Sequence, residues 1–154
     1  GYAHPLPPVR VRVYHRRTMA KRPARKPLGR SRRAELNVID YTLAKRAILR
    51  DSQIGLQSVN DLCDAHPELM RAAKYVGEPT RVDCPVCGKD KLVLLAYVYG
   101  DALKHDNGRV WSIDTGLRMA AANQGACCYV VEVCRACQWN HLREAFTARR
   151  SAAG

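Results

Sequence analysis

The 154-residue chain carries a formal charge of +12 and is 47% hydrophobic, with 6% aromatic residues. That bounds it to one compact domain, or two small ones, around a modest core. The absence of any run of roughly eighteen apolar residues excludes a transmembrane helix. Arg and Pro interrupt the N-terminal stretch throughout, so it lacks the apolar region of a secretory signal. The expected compartment is the reducing cytoplasm, where paired cysteines more often bind metal than form disulfides.

The charge is concentrated. Residues 1–33 hold eleven basic side chains and no acid: Arg10, Arg12, Arg16, Arg17, Lys21, Arg22, Arg25, Lys26, Arg30, Arg32 and Arg33. Residues 34–154 hold fifteen basic and fourteen acidic residues, a balance of +1, so a uniformly basic nucleic-acid-binding globule is not indicated. With Pro at positions 5, 7, 8, 23 and 27 and few apolar residues, 1–33 reads as a disordered basic tail. Its expected use is nonspecific, salt-sensitive contact with nucleic acid through those eleven cations. Met19-Ala20-Lys21-Arg22 has the form of a translation start, which leaves open whether residues 1–18 belong to the native protein.

A helical segment is predicted over 34–78. Leu36, Ile39, Leu43 and Ala47 recur at intervals of three and four, with Ile48 beside them, which predicts a first helix over about 31–50. Ser58 reads as the N-cap of a short second helix that buries Val59 and Leu62. Pro67 at the first position and Glu68 in the first turn open a third helix with Leu69, Ala73 and Val76 as its stripe. Gly77, followed by Pro79, stops it. Three helices this short must pack on the module that follows.

Residues 79–148 change character. Lys91–Tyr99, Tyr129–Val133 and Trp139–Thr147 are predicted strands. An insert at 100–126 separates the first two, with a turn at Asp106-Asn107-Gly108. A helix from Ser112 or Asp114 runs through Leu117, Met119 and Ala120–Ala122 and ends near Gly125. Residues 149–154 are a C-terminal tail.

Two CxxC pairs, Cys84-Pro85-Val86-Cys87-Gly88 and Cys134-Arg135-Ala136-Cys137, stand 46 residues apart. Two residues between cysteines let one tight turn present both sulfurs to one ion, and Gly88 suits the positive φ that follows such a turn. Two such knuckles at the ends of antiparallel strands make a zinc ribbon holding one Zn²⁺. The same thiolates suit a rubredoxin-type iron, so the pattern leaves iron open. A redox pair of CxxC motifs lacks its βαβ setting, and a disulfide framework does not suit the cytoplasm. Four thiolates close the coordination sphere, so the ion is structural rather than catalytic and its binding energy is folding energy. Cys84→Ser or Cys137→Ser is therefore expected to unfold the C-terminal half.

Other candidates are weaker. His141 could compete as a ligand, but a fourth donor is already supplied, and it reads as a polar residue on the last strand. His105 reads as solvent-exposed, and Cys63 as a small buried helix residue. Cys127 and Cys128 face opposite sides of one strand, so at most one is expected to reach the core. Residues 58–65 and 67–76 have the order of a helix-turn-helix, yet the third helix offers only Arg71 and Lys74 and begins with Glu68. No nucleophile triad, phosphate loop or carboxylate pair is present, and no enzyme is expected.

Taken in order, Val38-Ile39-Asp40-Tyr41, Asp61-Leu62-Cys63-Asp64-Ala65, Leu69-Met70-Arg71-Ala72-Ala73-Lys74, Gly77-Glu78-Pro79-Thr80 and Val98-Tyr99-Gly100-Asp101 lead to the run from Tyr129 to Leu142. Over about 35–147 the chain resembles a family of small actinobacterial proteins of unknown function, with a helical N-terminal half and a C-terminal zinc ribbon. Cys134-Arg-Ala-Cys-Gln-Trp-Asn-His-Leu142 is the most specific part. The resemblance implies a metal site at Cys84, Cys87, Cys134 and Cys137 and nothing catalytic; the basic tail departs from the family pattern.

The expected class is therefore α+β, a short helical segment packed on an antiparallel zinc ribbon behind a disordered tail. The expected function is a non-enzymatic adaptor that docks through ribbon and insert on a transcription or translation machine, with RNA polymerase or the ribosome as partner. No membrane or small-molecule substrate is implied. The alternatives are a sequence-specific DNA-binding regulator using residues 58–76, and a zinc–thiolate redox sensor with Cys63, Cys127 and Cys128 as additional thiols.

Overall fold

Strand-forming runs at residues 36–40 and 140–148 meet at one edge of a single antiparallel sheet. The computed structural model describes residues 36–149. The eleven cations of the tail, and residues 150–154, lie outside the described residues. In chain order the elements are β1 (Leu36–Asp40), α1 (Thr42–Gln53), α2 (Val59–Leu62), α3 (Pro67–Val76), β2 (Glu78–Asp83) and β3 (Lys91–Tyr99). There follow a 3₁₀ turn (Asp101–Asp106), β4 (Arg109–Trp111), α4 (Ile113–Ala122), β5 (Cys127–Val133) and β6 (Asn140–Ala148). The strand order is β1-β6-β5-β3-β2, and β4 also pairs with β3.

The three strands expected around the cysteines form the centre of this sheet. In register, Leu95 faces Val131 and Tyr97 faces Tyr129, while Val131 also faces Leu142 of β6. Every residue of β5, and every residue of β3 after Lys91, is buried. The usual polar–apolar alternation is missing because both faces are covered. On one face, Leu69 and Ala73 of α3 pack against Val93, Leu95, Tyr97, Tyr129 and Val131. Burying one such leucine contributes about 2 kcal/mol. On the other face, Ile113, Leu117 and Ala120 of α4 pack against Leu94, Ala96, Val98, Cys128 and Val130.

Three sequence expectations change here. Residues 36–40 are a strand, paired with β6 from Leu36 against Ala148 to Asp40 against Glu144. The helical spacing of Leu36 and Ile39 was coincidental, and long-range pairing decides the conformation. The helix starts at Thr42, whose N–H donates to Asp40 Oδ1 at 2.7 Å, a side-chain turn that ends the strand. Its buried face is Ala44 and Ile48 rather than Leu43 and Ala47. In α2 and α3, Leu62, Leu69 and Ala73 are buried as expected, whereas Val59 and Val76 are exposed.

Residues 100–126 are also no appendage. The Asp106-Asn107-Gly108 turn returns the chain so that β4 pairs with β3, and Asn107 Oδ1 accepts from the Gly100 N–H at 2.8 Å. Ser112 caps α4 through the Thr115 N–H. The helix lies so close to the sheet that a Cβ on Gly116 would meet Ala96 Cβ at 2.8 Å and Cys128 Sγ at 3.0 Å.

Candidate metal centre

The two CxxC pairs leave adjacent sheet ends. Cys84 follows β2 and Cys87 precedes β3; Cys134 follows β5 and Cys137 precedes β6. The knuckles are built alike. Gly88 N–H donates to the Cys84 carbonyl and Gln138 N–H to the Cys134 carbonyl, both at 3.0 Å. The residue after each second cysteine is left-handed, with φ of +64° at Gly88 and +71° at Gln138. Glycine adopts this conformation freely, whereas at Gln138 it costs about 1 kcal/mol or more. The Gln138 carbonyl holds that turn by accepting from Ala65 N–H at 3.0 Å and Asn140 Nδ2 at 3.3 Å.

The four sulfurs of Cys84, Cys87, Cys134 and Cys137 all lie within 4.8 Å of one another. Cys84 and Cys137 are 3.7 Å apart, and Cys87 and Cys134 are 3.6 Å apart. A tetrahedral ion with bonds of 2.3 Å to sulfur requires edges of about 3.8 Å, so the donor set fits a metal ion. Backbone N–H groups point at the sulfurs: Val86 to Cys84 at 3.4 Å, Lys89 to Cys87 at 3.3 Å and Cys137 to Cys134 at 3.4 Å. Without a cation the thiols are unevenly poised. Burial pushes Cys84 and Cys134 up to about 11 and Cys137 up to about 12, while the Lys89 N–H draws Cys87 down to about 7. A bound cation supplies the charge that lets all four ionise.

Behind the knuckles lies an apolar layer of Ile48, Leu62, Leu92 and Trp139. The buried Trp139 donates its indole N–H to Glu132 Oε2 at 2.9 Å. Lys45 of α1 spans both oxygens of that carboxylate, at 2.9 and 2.8 Å. A cleft of about 220 Å³ opens here, lined in part by Tyr41, Lys45, Arg46, Glu132 and Arg143. Neither Glu132 nor Lys45 is marked by a motif in the sequence. A lone acid within an apolar strand, seven residues before a tryptophan, was the available signal.

The remaining candidates separate. His141 is buried on β6, stacked on Trp139 with centroids 5.7 Å apart, with Nδ1 2.6 Å from the Leu142 carbonyl oxygen. It is not one of the clustered metal donors. His105 is exposed. Cys127 and Cys128 point to opposite faces as expected, but both are buried, because each face has its own core. Cys63 is half-buried, not core, and caps the C-terminus of α2, where its Sγ lies 3.5 Å from Cys137 Sγ. The second helix is four residues long, too short for the first helix of a helix-turn-helix, although Arg71 and Lys74 of α3 are exposed.

Residues 32–153 match a family of unknown function, DUF5318. The chain belongs to that family. Similar to it is the uncharacterised protein Mb0050 of Mycobacterium bovis, 40% identical over 108 residues that span 70% of this chain and 79% of that protein. The uncharacterised proteins MT0055 and Rv0049 of Mycobacterium tuberculosis match with the same identity and coverage. These relatives are actinobacterial, in keeping with the family resemblance. No solved structure matches the chain. No helix among the described residues is long and apolar enough to cross a membrane.

Proposed function

We propose that Cys84, Cys87, Cys134 and Cys137 bind one structural Zn²⁺, so that β3, β5 and β6 with their knuckles form a zinc ribbon inside the larger sheet. The observation that carries this reading is the convergence of four cysteine sulfurs within 4.8 Å of one another, with two separations of 3.7 and 3.6 Å that match the edge of a tetrathiolate site. A full set of thiolates leaves no open position for substrate or water, so the protein is a non-enzymatic adaptor. It docks on a transcription or translation machine, and the basic tail adds nonspecific nucleic-acid affinity.

Exposed apolar side chains at the α1–α2 connection support a docking role. Ile54, Leu56 and Val59 lie within six residues of the α1–α2 connection and are 64%, 74% and 51% exposed. The apolar residues of 113–126, by contrast, are spent on the core. These exposed side chains favour the α1–α2 connection as the docking surface. The test is affinity capture from an actinobacterial host, with nuclease treatment, comparing the intact chain with Leu56→Asp. RNA polymerase subunits or ribosomal proteins should be recovered by the intact chain and lost with the variant. Recovery of neither contradicts the adaptor reading.

A further inference from the structure

A fifth sulfur lies against the four-cysteine cluster. Cys63 Sγ is 3.5 Å from Cys137 Sγ, as near as Cys84 is to Cys137 (3.7 Å) or Cys87 to Cys134 (3.6 Å). Both cysteines are half-buried, whereas Cys84 and Cys134 are buried. The segment carrying Cys63 is fastened to the second knuckle: Ala65 N–H donates to the Gln138 carbonyl at 3.0 Å and Asn140 Nδ2 to Asp64 Oδ1 at 3.0 Å. Cys63 itself sits at the end of α2 with φ −100° and ψ 65°, outside helix and sheet, where closing to bonding distance disturbs no ladder. The other two spare thiols are excluded. Cys127 and Cys128 are held by pairing on both sides of β5, one in each core.

We propose that Cys63 and Cys137 form a thiol modification site, an oxidisable pair that couples peroxide to the metal centre. The inference rests on the metal reading above. Hydrogen peroxide transfers one oxygen to the Cys137 thiolate, giving a sulfenic acid, and the other oxygen leaves as water after protonation. The Cys63 thiol then attacks the Cys137 sulfur. The S–O bond breaks, an S–S bond forms, and the oxygen departs as a second water carrying the Cys63 proton. Two thiols are oxidised by two electrons, and one peroxide is reduced to two waters. The disulfide removes one of the four donors, so the ion is held by three thiolates and is released. A thiol reductant reverses the change.

The test uses the full zinc-loaded chain, exposed to hydrogen peroxide in the presence of a colorimetric zinc chelator and mapped by peptide mass spectrometry. Wild type should release its zinc with a Cys63–Cys137 crosslink, and should regain it after dithiothreitol and fresh zinc. Cys63→Ser, loaded to the same zinc content, should release several-fold more slowly and recover poorly, since its sulfenic acid has no partner. Equal release rates, or Cys137 crosslinked only to another ligand cysteine, overturn the proposal. A wild-type chain that binds no zinc overturns the metal reading instead. In that chain the crosslink map alone decides whether Cys63 and Cys137 are the reactive pair.

Discussion

At the residue scale, the most consequential side chain outside the cysteines is Glu132, 1% exposed in the middle of the sheet. A carboxylate is tolerated there because Lys45 and the Trp139 indole bind both its oxygens. Removing one partner of a buried pair is more damaging than replacing both, since the remaining charge is stranded. Lys45→Met should therefore lower stability by about 3 kcal/mol, at the low end for buried pairs because Lys45 retains some exposure. Adding Glu132→Met should restore much of that loss. Urea unfolding of the two variants checks this. A Lys45→Met midpoint indistinguishable from wild type would show that water or a neighbouring cation already serves the carboxylate.

At the element scale, α4 covers the second face of the central strands β3 and β5, and Gly116 sets how closely it approaches. Gly116→Ala gains about 1 kcal/mol of helix propensity, yet its methyl would meet Ala96 and Cys128 at 2.8 and 3.0 Å. Overpacking against a backbone held on both sides should outweigh that gain, with a net loss of about 1–2 kcal/mol in thermal unfolding. A stabilised variant would mean that α4 lies farther from the sheet. The legibility of the elements follows from how local their causes are. The helix from Ser112, the turn at Gly108 and the Pro67 start were readable because capping and positive-φ signals act within a few residues. β1 was not, because Leu36–Asp40 is a strand only through pairing with residues 144–148 more than a hundred positions away. The four cysteines were legible because their spacing encodes the knuckles. Cys63 stood out only as one of three spare thiols, and its contact with Cys137 was not legible, because nothing in the sequence brings residue 63 to residue 137.

At the scale of the whole molecule, the cysteines close one end of a sheet that also has two apolar cores of its own. A minimal ribbon depends on its metal for the entire fold, whereas here a bound ion would fasten β2, β3, β5 and β6 at their knuckles, beside the layer carrying Ile48 and Leu62. Metal binding would therefore bear on the placement of α1 and α2, whose Ile48 and Leu62 share the cysteines' cluster and flank the exposed apolar side chains of the α1–α2 connection. Docking and metal occupancy are expected to rise and fall together. The central claim is the tetrathiolate zinc, and X-ray absorption at the zinc edge of the purified full chain tests it most directly. One zinc per chain with a shell of four sulfurs at about 2.3 Å is expected. Nitrogen or oxygen in that shell, or a purified chain that holds no zinc, would contradict it.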